Sequence, residues 1–84
     1  MSRIAILGGG NWGTTLALHL IGNGHEVRLW EFFPELALAM NRDRENKKYL
    51  PGIPLPPSLK VSAELGEVVQ EAEILVFVVP HIAL

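Results

Sequence analysis

The chain has no cysteine, so it has no disulfide framework, no thiolate nucleophile and no cysteine-based zinc site. Charge of one sign is also scarce. A formal net charge of −2 and a pI near 5.8 supply no general attraction for nucleic acid or anionic lipid. Long apolar runs are missing as well: the longest, Ile74 to Val79, falls far short of the roughly 20 residues of a membrane-spanning helix. The opening Met1-Ser2-Arg3-Ile4-Ala5-Ile6-Leu7 meets glycine too early for the apolar stretch of a secretory signal. These absences predict a soluble, cytoplasmic protein without nucleic-acid or membrane partners. What is present, 49% apolar residues against 19% charged in 84 residues, describes one folding unit. A chain this short buries a smaller fraction of its surface than a full-sized domain, so a core built from it alone is marginal.

Strands and helices alternate along the chain. Arg3–Leu7 is a short apolar run ending at glycine and predicts a buried strand. Trp12, Leu16 and Leu20 recur at four-residue spacing, predicting a helix over residues 11–21 that stops at Gly22-Asn23-Gly24. A second strand is expected over Glu26–Glu31. Pro34 opens a short second helix reaching about Met40, before polarity rises at residues 41–48. Four prolines in residues 51–57 predict an ordered loop without regular pairing. Ser62 is expected to cap a third helix running to about Gln70, with Glu64 in its first turn. Residues 74–79 give a third strand, ended by Pro80. Such alternation predicts an α/β Rossmann-type domain, a parallel sheet of about three strands with crossover helices.

Gly8-Gly9-Gly10-Asn11-Trp12-Gly13 fits G-x-G-x-x-G between a strand and a helix. In that setting Gly8 makes the tight turn, Gly10 lets the backbone approach a pyrophosphate, and Gly13 permits close packing of helix on strand. The helix start offers unpaired N–H groups and a positive dipole end to two phosphates. The plainer alternative is an ordinary strand-to-helix turn, for which three glycines in this register are a costly choice. Glu31, eighteen residues beyond Gly13, stands near the offset at which a carboxylate meets the adenosine ribose. It would also repel a 2′-phosphate, by about 4 kcal/mol at ~4 Å and an effective dielectric near 20. No arginine stands at Phe32 or Phe33 to offset this, so NAD is expected over NADP. A strand-end glutamate without a partner is the bland reading.

Phe32 or Phe33 can press against an adenine, or one can be core with the other over it. Trp12 can wall the pocket or simply pack. His19, His25 and His81 show no metal-ligand spacing; His25 is expected to be exposed, and His81 falls where a parallel strand delivers its chain to the ligand crevice.

With these residues placed, the sequence resembles the glycerol-3-phosphate dehydrogenase family over its whole length. Gly8 to Thr14 is similar to the family's G-x-G-x-W-G-[ST]. Glu45-Asn46-Lys47-Lys48-Tyr49-Leu50-Pro51-Gly52-Ile53-Pro54-Leu55-Pro56 resembles its E-N-x-x-Y-L-P-G-x-x-L-P, the more specific stretch. Ile74 to Val79 with Pro80 and His81 looks like its third strand and the V-P that follows, where the chain reaches the nicotinamide. The resemblance implies an oxidoreductase that interconverts dihydroxyacetone phosphate and sn-glycerol 3-phosphate with NAD(P)(H). It also implies that residues 8–13 hold the pyrophosphate, with Phe32 beside the adenine and Pro80 lining the cofactor. The sequence departs from basic residues that many prokaryotic members carry at positions 32 and 33, and from a phenylalanine that animal members carry at Ala83. Residues 1–84 are expected to be an incomplete dinucleotide-binding domain, inactive alone and lacking the catalytic lysines and helical substrate domain. With only three strands, the first is expected to leave an open edge through which chains associate. The alternatives are another two-domain dehydrogenase or a non-enzymatic NAD-sensing module.

Overall fold

In the computed structural model, which describes residues 1–78, the elements follow in the order β1 (Arg3–Leu7), α1 (Asn11–Gly22), β2 (Glu26–Trp30), α2 (Pro34–Asp43), β3 (Glu45–Asn46), β4 (Leu50–Pro54), β5 (Lys60–Ser62), α3 (Leu65–Val69) and β6 (Ile74–Phe77). Four strands form a parallel sheet ordered β5-β2-β1-β6, and β3 and β4 form a separate antiparallel hairpin. This is an α/β Rossmann-type arrangement.

Side-chain alternation along the strands divides the core. Ile4, Ile6, Val27, Leu29 and Val61 pack with Ala17 of α1 and Ala37 and Met40 of α2. Ala5 and Leu7, on the opposite face of β1, pack with Val68 of α3. Both faces of β1 are therefore covered, as its unbroken apolar run requires. Arg28 reaches across the second face and donates to the carbonyls of Glu67 (3.0 Å) and Gln70 (2.9 Å), a cation placed at the negative end of α3.

Several expectations change. The third strand of the sheet's first half is β5, hydrogen-bonded to β2, and the Ile74 strand lies on the other side of β1. β1 thus has no open edge, and association through it loses its basis. The outermost position passes to β6, where Ile74, Leu75 and Phe77 are exposed. The proline stretch is not free of pairing: Leu50–Pro54, with prolines at its second and last positions, pairs with Glu45–Asn46 through an irregular register. Ser62 belongs to β5, and α3 begins only at Leu65, although Ser62 Oγ accepts the Glu64 N–H (3.0 Å) and donates to Glu67 (3.0 Å). α2 continues through Asp43 and closes on Arg44 in the left-handed conformation (φ 50°). There the guanidinium bonds the Pro56 and Leu59 carbonyls at 2.7 and 2.8 Å. The fully buried face of α1 is Gly13, Thr14 and Ala17, with Leu16 and Leu20 packed partly buried against the core, while Trp12 is 79% exposed. His25 is half-buried, its Nδ1 accepting the Ser2 N–H. Among the described residues no helix is long and apolar enough to cross a membrane.

Candidate functional site

The chain leaves β1 toward α1 and β2 on one side, while β6 pairs with β1 on the other, so strand order reverses at β1. In open parallel sheets the crevice at this reversal, beyond the carboxyl ends of the strands, is where ligands bind. The Gly8–Gly13 turn fills that position, fixed at its root where Gly8 donates to Trp30 O (3.0 Å) and Val78 to Leu7 O (3.0 Å).

Each glycine of the turn meets a different boundary. Gly8 has φ +135°, and a Cβ there would strike the Val78 carbonyl oxygen. A Cβ on Gly13 would strike the Gly8 carbonyl oxygen, so this glycine brings α1 close against the turn. A Cβ on Gly9 would strike the Glu31 carboxylate. Gly10 alone of the four faces open space, with nothing within 4 Å. It is also the N-cap of α1, and no side chain caps that end or places an acidic group in its first turn. The leading N–H groups of α1 and its positive dipole end are left for an external anion. The geometry fits a pyrophosphate.

Glu31 lies one residue past β2 with only 5% of its surface exposed, which sets aside the reading of an unpartnered surface glutamate. Its carboxylate lies against Gly9 and accepts the Phe33 N–H at 3.4 Å. Burial pushes the carboxyl above the ordinary glutamate range; the Phe33 hydrogen bond and nearby Lys48 pull it down, and Glu35 pushes it up. Neither phenylalanine is core: Phe32 is 65% exposed, and the rings of Trp30, Phe32 and Phe33 meet edge to face at 5.7 and 5.2 Å. Phe32 therefore presents a free aromatic surface beside Glu31. Pro80, His81 and Ala83 lie outside the described residues.

Sequence reasoning assigned no role to Asn46, the one buried side chain that reaches the turn from the hairpin. Its Nδ2 donates to the Gly9 carbonyl (2.8 Å) and to Thr14 Oγ1 (2.9 Å). The signal lay in the E-N-x-x-Y-L-P-G stretch, whose spatial target was invisible until the hairpin folded back. A concavity of about 500 Å³ along the free edge of β5 is lined by Arg28, Arg44 and Lys60. Both of its arginines already bond backbone carbonyls.

Comparisons with known proteins agree with this fold. Residues 3–84 match the family described as NAD-dependent glycerol-3-phosphate dehydrogenase N-terminus. A glycerol-3-phosphate dehydrogenase [NAD(P)+] of Pelodictyon phaeoclathratiforme is 47% identical over 82 residues, 98% of this chain and 25% of that protein. The crystal structure of glycerol-3-phosphate dehydrogenase from Coxiella burnetii superposes with a TM-score of 0.89 at 39% identity, covering 94% of this chain and 24% of that one. The yeast (Saccharomyces cerevisiae) enzyme superposes at 0.84 and 34% identity, covering 95% of this chain and 26% of that one. The chain spans about a quarter of the length of the relatives it matches. By sequence and by fold, it belongs to the N-terminal NAD-dependent glycerol-3-phosphate dehydrogenase family.

Proposed function

We propose that this chain is the cofactor-binding front of a cytoplasmic glycerol-3-phosphate dehydrogenase, holding the adenosine and pyrophosphate of NAD(H). The observation that carries the reading is the glycine turn at the sheet's reversal point, with Gly10 open to solvent at the uncapped start of α1. In this reading the backbone of Gly8, Gly9, Gly10, Asn11, Trp12 and Gly13 surrounds the pyrophosphate. Glu31 accepts the ribose hydroxyls and Phe32 lies along the adenine, with Pro80 toward the nicotinamide. When bound, the reduced nicotinamide would donate a hydride to dihydroxyacetone phosphate, and the oxidised form would accept one from sn-glycerol 3-phosphate. The chain's own part is to bind and orient. In this reading the catalytic groups and a substrate domain would come from the part of the relatives' length that this chain does not span.

The preference for NAD over NADP rests on Glu31. A carboxylate fixed beside Gly9 bonds ribose hydroxyls, and a 2′-phosphate brought to ~4 Å would cost on the order of 4 kcal/mol at a dielectric near 20. Lys48 offsets part of this charge. Isothermal titration of the intact protein with NADH and NADPH tests the reading, and we expect NADH to bind at least about ten-fold more tightly, a difference of about 1.4 kcal/mol. Glu31→Ala should shrink the gap. Tighter binding of NADPH overturns the preference, and binding of neither cofactor overturns the proposal.

A further inference from the structure

Asn46 is 4% exposed, and its amide is fully used. Nδ2 donates to Gly9 O (2.8 Å) and Thr14 Oγ1 (2.9 Å), and Oδ1 accepts the Tyr49 N–H (3.2 Å). Thr14 Oγ1 in turn donates to Gly9 O (3.1 Å), so two donors converge on one carbonyl of the turn. The amide orientation is set by its partners: a flipped amide would face Gly9 O with an oxygen and Tyr49 N–H with an NH₂.

The hairpin that delivers Asn46 is braced independently. Glu45 accepts the Gly52 N–H (3.0 Å), and Leu55 donates to Arg44 O (2.7 Å). The bonded carbonyl belongs to the Gly9–Gly10 peptide. A trans peptide is planar with C=O and N–H antiparallel, so holding the Gly9 carbonyl inward turns the Gly10 N–H outward. A Cβ built on Gly10 also meets nothing within 4 Å, so the residue that carries this N–H is itself unobstructed.

We propose that Asn46, through Gly9 and together with Thr14, is a positioning residue of the cofactor site: it locks the Gly9–Gly10 peptide plane so that the Gly10 N–H is presented to a diphosphate. The hairpin stretch thereby acquires a task in ligand binding although it contributes no group to the ligand. Without the lock the Gly9–Gly10 peptide, flanked by residues without side chains, is free to rotate, and binding must then order it. Asparagine suits position 46 because it offers two donors and one acceptor on a short stem. Aspartate has the same shape and, when ionised, no donor.

The proposal rests on the cofactor reading, and the test separates the two. In the intact protein, NADH affinity is measured by titration well below the melting temperature, alongside KM for NADH, KM for the phosphate substrate and kcat. Asn46→Asp and Thr14→Val should each weaken NADH binding about ten-fold, equivalent to about 1.4 kcal/mol. KM for the phosphate substrate should stay at the parent value, and Thr14→Ser, which keeps the hydroxyl, should bind NADH like the parent. If Asn46→Asp fails to fold, Thr14→Val against Thr14→Ser decides. Variants with lowered melting temperature but parental NADH affinity would overturn the positioning role while leaving the cofactor site intact. Failure of the parent to bind either cofactor would instead overturn the site itself.

Discussion

The Gly8–Gly13 turn and the Glu45–Pro54 hairpin meet at one carbonyl, that of Gly9, and are built on opposite terms. In the turn, missing side chains shape the backbone: three of four glycines are fixed by immediate neighbours, and Gly10 is left open. In the hairpin, a side chain is the point, because Asn46 carries the only buried amide among the described residues that reaches the turn. A substitution in the turn adds atoms where backbone or ligand must lie. A substitution at Asn46 removes hydrogen bonds and adds little. The two regions should therefore fail differently.

The largest effect belongs to Gly13→Ala, whose Cβ meets the Gly8 carbonyl oxygen. Separating α1 from β1 should cost on the order of 3 kcal/mol, read as a lower midpoint in urea unfolding, with cofactor affinity lost alongside. A stability equal to the parent's would mean that the turn tolerates bulk and that its packing is not what requires glycine. By contrast, Gly52→Ala lies in the hairpin at φ +84° with nothing within 4 Å of the new Cβ. Only backbone strain opposes it, about 1 to 2 kcal/mol, and NADH affinity should be unchanged. An affinity loss there would show that the hairpin's own conformation, beyond Asn46, matters to the ligand.

A smaller effect sharpens the comparison where Glu31 touches the turn. Its carboxyl is raised by burial, so the neutral form is the one the fold favours. The stability that Glu31 contributes is therefore fully present below the unfolded glutamate pKa and is lost as pH rises through the folded value. NADH affinity should move the other way, growing as the carboxylate forms. Melting temperatures of the parent and Glu31→Gln, followed upward from acidic pH, should diverge in favour of the variant. Parallel curves would mean that Glu31 is solvated rather than packed against Gly9.

These contrasts also explain what could be read from the sequence. β1, α1 and β2 were legible because apolar runs, four-residue spacing and glycine stops are local signals. The turn was legible because its glycines sit in a recognisable register. β5 was missed because Lys60-Val61-Ser62 holds one apolar residue, too little for a strand pattern. Its strength comes from pairing with β2 and from Asn41 donating to Val61 O at 2.7 Å. That omission made the Ile74 strand the third rather than the fourth and left β1 falsely open. Asn46 stands within a motif, yet a buried amide's purpose lies in its partners, and these are 32 and 37 residues away.

Gly10 bears the pyrophosphate assignment most directly. Gly10→Val adds a branched side chain where the structure has free space, so circular dichroism and melting temperature should stay close to the parent's while titration with NADH shows affinity reduced by roughly 100-fold, about 2.7 kcal/mol. A folded Gly10→Val protein that binds NADH as tightly as the parent would contradict the assignment of the glycine turn as the pyrophosphate site.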